Sequence, residues 1–182
     1  LGAVTTKNIK LINSPTTEKV SATLDETGEN YWVVTHTSGD TNFYSFKLTA
    51  SGLQPPVVTS IGSNNSTARG YMKISPDGTK LISLLYDQQI IDIFDFNTTE
   101  GRPSNHLVIS GVSYNNGPYG LEFSSDSSKF YVSDGASDTI TQYSLSYTST
   151  TEMVDQSITL PIISGASLGA LQMGADEKIY VA

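Results

Sequence analysis

Residues Gly70–Tyr86 read GYMKISPDGTKLISLLY. A short alternating run from Tyr71 to Ser75 meets a turn at Pro76-Asp77-Gly78, and a second apolar run follows from Lys80. Alternating side chains belong to a strand, and Pro-Asp-Gly closes a tight turn, so this stretch is a β-hairpin. The same plan returns about fifty residues on, a spacing that marks a structural repeat. There it reads GLEFSSDSSKFYVSDG (Gly120–Gly135), and a further copy reads GALQMGADEKIYVA (Gly169–Ala182).

Working outward, the link Asp87-Gln88-Gln89 leads to IIDIFDF (Ile90–Phe96), and after a polar loop comes HLVISG (His106–Gly111). Four short strands therefore fill a unit spanning residues 68–112. A second unit spans 118–163, a looser one 19–62, and a partial one 167–182, with NIKLI at 8–12 as a leftover strand. Four antiparallel strands at this period are the pattern of a β-propeller blade. IIDIFDF supports it, with Ile90, Phe94 and Phe96 on one face and Ile91 and Ile93 on the other, as a strand between two neighbouring blades requires. The expected fold is all-β, a propeller segment of three and a half four-stranded blades running through residues 1–182. A β-sandwich is the alternative, but it does not explain the repeat. Rings close with roughly four to eight blades. The segment is therefore expected to belong to a longer chain with about seven blades, or to be completed by a second copy covering its open blade faces.

Each unit places an aspartate in its first turn: Asp25, Asp77, Asp126 and Asp176. Calcium loops need several oxygen ligands at close spacing, and each turn offers only one or two. Asp and Gly suit the turn itself. The chain of 182 residues carries ten basic and eighteen acidic side chains, a net charge of −8, and no cysteine. That balance argues against binding nucleic acid or an anionic membrane, and no apolar run is long enough to insert in a bilayer. LGAVTTKNIK at the start does not read as a signal peptide.

The stretches YWVVTHTSGDTNFYSFKLTASG, GYMKISPDGTKL, IIDIFDFNTTEG, GPYGLEFSSDSSKFYVSD and LGALQMGADEKIYVA resemble the propeller repeats of large Bacteroidota surface proteins exported by the type IX, gliding-associated route. KFYVSDGASDTITQYSL is similar, more loosely, to YVTN-type surface-layer and lactonase-like propeller repeats. The resemblance covers residues 20–182 and implies an extracellular or cell-surface address. It also implies an O-glycosylation sequence at Asp138-Thr139-Ile140.

Chemistry is sparse. No zinc-protease, phosphate-loop or nucleophile-elbow motif is present, and no cofactor, metal or catalytic residue is assigned. His36 is expected in a loop and His106 on an outer strand, too far apart for a shared metal. Asp92 and Asp95 point to opposite faces of one strand. Glu122 is expected to line the central channel, solvated. Trp32 and Tyr31 are expected between blades. A ligand would sit where GSNNSTARG (62–70), GVSYNNGPYG (111–120) and ISGASLG (163–169) meet the loops HTSGDTN and SDGASD, because such Asn-, Ser- and Tyr-rich loops suit adaptable polar recognition. The candidates are Arg69, Tyr114, Asn116 and Tyr119. The reading favours a non-catalytic interaction or scaffold module with a protein or glycan partner at the cell surface. A lactonase-like hydrolase and a carbohydrate-binding propeller are the alternatives.

Overall fold

Hairpin follows hairpin along this chain because each turn closes on its own side chains. In the computed structural model, which describes residues 7–135, 137–161 and 168–182, Asp77 accepts the Ser75 hydroxyl at 2.6 Å and the Thr79 N–H at 3.0 Å. Asp126 repeats this with Ser124 and Ser128, at 2.6 and 3.0 Å. Asp25 takes Thr27, Asn30 and the Lys47 ammonium, and Asp176 takes Lys178 and Tyr180. The turn aspartates thus act as side-chain bridges to their own backbone. The Ser124 and Ser128 donors hold the Asp126 carboxyl well below its ordinary range, and Lys47, Thr27 and Asn30 do the same at Asp25.

The strands form separate antiparallel sheets in chain order. The first holds β1 (Thr16–Leu24), β2 (Tyr31–Thr37), β3 (Asn42–Thr49), the two-residue β4 (Gly52–Leu53) and β5 (Val57–Ser60). The second holds β6 (Met72–Ile74), β7 (Lys80–Leu85), β8 (Ile90–Asn97) and β9 (Arg102–Ile109). The third holds β10 (Pro118–Phe123), β11 (Lys129–Asp134), β12 (Thr139–Ser144) and β13 (Ile158–Pro161), and the last pairs β14 (Leu171–Met173) with β15 (Ile179–Val181). The opening strands of successive sheets lie side by side. Ile74 N–H donates to Ser21 Oγ at 3.0 Å, and Tyr71 N–H donates to Tyr119 O at 3.0 Å. This is the blade arrangement of a β-propeller.

Apolar rows from facing blades fill the spaces between sheets. Phe94 and Phe96 pack with Trp32, Val34 and Phe43 on one side of β8, while Ile91 and Ile93 pack with Phe130 and Val132 on the other. The doubly apolar IIDIFDF is therefore buried on both faces, as its sequence implies. Trp32 packs between blades and its Nε1–H donates to Thr98 O at 2.8 Å. The turn that receives it needs Gly101. Its φ is +68°, and a Cβ there would fall 2.5 Å from the Trp32 ring. Tyr31 does not join this core; it lies on the opposite face and is 49% exposed.

Two features depart from the sequence reading. NIKLI (8–12) forms no strand, and Ile9 and Leu11 stand 65% and 54% exposed. Alternation alone cannot make a strand where, among the described residues, no neighbour supplies ladder hydrogen bonds. A six-residue helix, α1 (Thr150–Asp155), precedes β13 and buries Met153 in the core between the second and third sheets. It is too short to show a helical period.

Candidate functional site

Carboxylates anchor the links between blades on one end of the array. Asp134, 5% exposed, accepts the N–H groups of Asn115, Asn116 and Gly117 at 2.6, 3.1 and 3.2 Å. Asp92 accepts the N–H and hydroxyl of Ser63, both at 2.9 Å, and holds His106 Nε2 at 2.9 Å. The β2–β3 loop joins the same end, where Gly39 N–H meets Asn65 O and Asn65 N–H meets Asp40 O. The expected gathering of loops therefore forms, for the described parts; ISGASLG lies largely outside the described residues.

At the inner mouth of this end three tyrosines converge. Tyr119 meets Tyr71 edge-on at 5.6 Å between ring centroids and Tyr86 at 5.9 Å. The Arg69 guanidinium lies 4.8 Å from the Tyr86 centroid and pairs with Asp87, a cation–π contact at an exposed rim. Glu18, from the first blade, accepts the Gly70 N–H at 3.0 Å. A cavity of about 300 Å³ opens between Glu18, Lys19, Gly70, Tyr71, Met72 and Tyr119. A second hollow of about 180 Å³, between Arg69, Tyr86, Gly135 and Leu168, shares Tyr119. Burial, with Glu18 and the other two phenols nearby, pushes the Tyr119 hydroxyl above its ordinary pKa, so it stays a neutral donor. A larger groove of about 400 Å³ lies at the outer edge of the second and third sheets, but its Lys80 and Asp95 already pair with each other.

Of the sequence candidates, Arg69 and Tyr119 come together here. Tyr114 does not: it is 8% exposed, and its hydroxyl meets that of Tyr143 at 2.8 Å inside the core. A Tyr in a polar link looks like a surface residue, but this ring is large enough to reach the apolar space under the link. Asn116 is exposed, serves through its backbone N–H on Asp134, and does not border the tyrosine cavity. Sequence reasoning missed Glu18, Tyr71 and Tyr86. Tyr86 carried a signal, since it ends the second strand of its unit, where the loop face begins.

Two further expectations change. His36 is not a loop residue; it lies in β2, 2% exposed, with Nδ1 2.6 Å from Thr37 O. Burial lowers its pKa and keeps the ring neutral. Glu122 is not solvated. It receives Lys73 Nζ at 2.6 Å, Met173 N–H at 2.7 Å and Phe123 N–H at 3.0 Å. Lys73 also reaches Leu171 O at 3.2 Å, so one ion pair ties the opening strands of three blades together. Among the described residues no three His, Asp or Glu side chains gather as metal ligands.

Lys19 is the unusual cation. It is 2% exposed, and its Nζ donates to Asn65 Oδ1 at 3.2 Å and Ser83 Oγ at 3.3 Å, both neutral. Burial lowers its pKa to about 8, partly offset by Asp92 and Glu18. A lysine whose folded pKa lies below its unfolded value binds fewer protons folded than unfolded between those two values. Stability therefore rises with pH from about 8 toward about 10.4, by at most about 1.4 kcal/mol per unit. Urea unfolding at pH values across that window should show the rise in the wild type and a flatter profile in Lys19→Met. Equal slopes would remove Lys19 as the cause.

No protein-family model matches the sequence, and no curated protein matches it. Solved structures do. A Bacteroides uniformis protein assigned as a 6-phosphogluconolactonase superposes with a TM-score of 0.61 at 12% identity, over 90% of this chain and 47% of that one. The periplasmic gluconolactonase of Pseudomonas aeruginosa gives 0.55 at 16% identity, over 88% and 48%. The Swd1 β-propeller domain of Myceliophteria thermophila gives 0.51 at 12% identity, over 86% and 43%. The chain is a β-propeller segment. It spans about half the length of these structures, and at such identities the likeness concerns the fold alone.

Proposed function

We propose that this chain belongs to a non-catalytic propeller module of an exported or cell-surface protein, and that its ligand is a hydroxylated molecule, a glycan, held at the tyrosine-lined mouth. The carrying observation is that Tyr119 joins two hollows, the 300 Å³ cavity bordered by Glu18 and Tyr71 and the 180 Å³ one bordered by Tyr86 and Arg69. Aromatic faces suit the C–H faces of a sugar, and carboxylate, phenol and guanidinium groups suit its hydroxyls. The sequence resemblance to type IX surface propellers and the periplasmic address of one structural neighbour support export.

A second reading, a lactonase-like hydrolase, is favoured by the names of two structural neighbours. A lactonase would need a base and a carbonyl-polarising group at the mouth. Here Glu18 is the carboxylate bordering the cavity, and Glu122 is taken up by Lys73.

A glycan array followed by calorimetry on the best hit tests the first reading. Tyr119→Ala should weaken binding about tenfold, which is about 1.4 kcal/mol. Asn116→Ala should leave it unchanged. Equal loss in both variants, or binding insensitive to both, removes the mouth as the site. Turnover of a sugar lactone that depends on Glu18 would move the conclusion to the hydrolase.

A further inference from the structure

Strand β1 turns a lysine inward and a valine outward. Lys19 is 2% exposed, while its neighbour Val20 stands 63% exposed. Stability alone favours the reverse, since a lysine is almost never fully buried without a counter-charge. Both acceptors of the Lys19 amine are neutral, Asn65 Oδ1 at 3.2 Å and Ser83 Oγ at 3.3 Å. Asn65 is itself 1% exposed. Its backbone is fixed from both sides, with its N–H on Asp40 O at 2.9 Å and its carbonyl accepting the Gly39 N–H at 2.8 Å. Asp92, 2% exposed, is paired directly with Ser83 across β7 and β8. A buried amine thus rests against the carbonyl of a buried carboxamide, in a setting that also holds a buried carboxylate.

We propose that Lys19 and Asn65 join in an intramolecular isopeptide bond, a covalent clasp between β1 and the link that leads from the first blade to the second. In its neutral form Nζ adds to Asn65 Cγ. The Nζ–Cγ bond forms, the Cγ–Nδ2 bond breaks, and Nδ2 leaves as ammonia with a proton shed by Nζ. Nothing is oxidised or reduced, and no co-reactant enters. The fold supplies what the reaction lacks in water: fixed contact between amine and amide, and exclusion of the water that would compete for the carbonyl. Burial lowers the Lys19 pKa to about 8, so a share of the molecules carries the nucleophilic free amine. Asp92, whose charge acts on Lys19, is the carboxylate available to relay the proton. The product is a neutral amide, which removes the cost of a buried charge. A loop closed between residues 19 and 65 constrains the unfolded chain as a disulfide does, and this chain has no cysteine. The pH-dependent stability predicted for Lys19 belongs to the chain before the bond forms, because an amide nitrogen does not titrate in that range.

Peptide mass spectrometry tests this on the full polypeptide as its own cells produce it, after the folded protein has been held on the alkaline side of the Lys19 pKa. The expected product is a branched tryptic peptide joining the segments around Lys19 and Asn65, lighter by one ammonia than its two arms together, with no cleavage after Lys19. Asn65→Ala should abolish the branch and restore that cleavage. Linear peptides that end at Lys19 beside an intact Asn65 overturn the proposal. So does an ammonia loss confined to another asparagine, such as a succinimide at Asn116-Gly117, or a branch that persists in Asn65→Ala.

Discussion

Phe130→Ala should lower the unfolding free energy of the 182-residue chain by about 4 kcal/mol, while Tyr31→Ala should change it by less than about 1 kcal/mol. The two residues hold the same place in the repeat. Phe130 is 0% exposed, stacked on Tyr143 at 4.9 Å and within 6.5 Å of Phe123. Its removal leaves a cavity that rigid sheets on both sides cannot close. Tyr31 has solvent over half its surface, so its truncation leaves no cavity. Urea titration of both variants decides the matter. Similar losses at the two sites would mean that Tyr31 is covered in this chain.

Glu122→Ala should cost about 3 kcal/mol, at the lower end for losing one partner of a buried ion pair. The lower end applies because Lys73 keeps some contact with water, at 17% side-chain exposure. The loss has three parts: Lys73 is left without its counter-charge, and the N–H groups of Met173 and Phe123 lose their acceptor. The double variant Lys73→Met, Glu122→Leu should recover most of it, leaving about 1 kcal/mol for the unmet amides. A double-mutant cycle reads the coupling directly. Additive single effects would show that the pair is not coupled.

The blade plan was legible because hairpin turns and strand alternation are local. Pro76-Asp77-Gly78 and Ser125-Asp126-Ser127 announce themselves within a few residues, and the repeat multiplies the signal. Buriedness on both faces of β8 could also be read, since Ile91 and Phe94 are neighbours in sequence. What failed was non-local. Tyr114 and Asn116 sit two residues apart in one polar link, yet one phenol reaches Tyr143 in the core and the other side chain faces water. Glu122 looked solvated because its partner, Lys73, lies forty-nine residues earlier. NIKLI alternates as well as any strand here but has no ladder to join among the described residues. The site itself was half visible: Arg69 and Tyr119 belong to links the repeat points to, whereas Glu18 and Tyr71 lie at the inner ends of blades, where sequence shows only strand beginnings.

The hydroxyl contact between Tyr114 and Tyr143 gives the third blade an optical signature. Burial raises both phenol pKa values, so both rings resist forming tyrosinate while the sheet is closed. The ultraviolet change of these two rings is therefore gated by opening of the blade, not by hydroxide alone. In a stopped-flow pH jump, a delayed phase of the tyrosinate absorbance that is lost in Tyr143→Phe reports the opening of this contact.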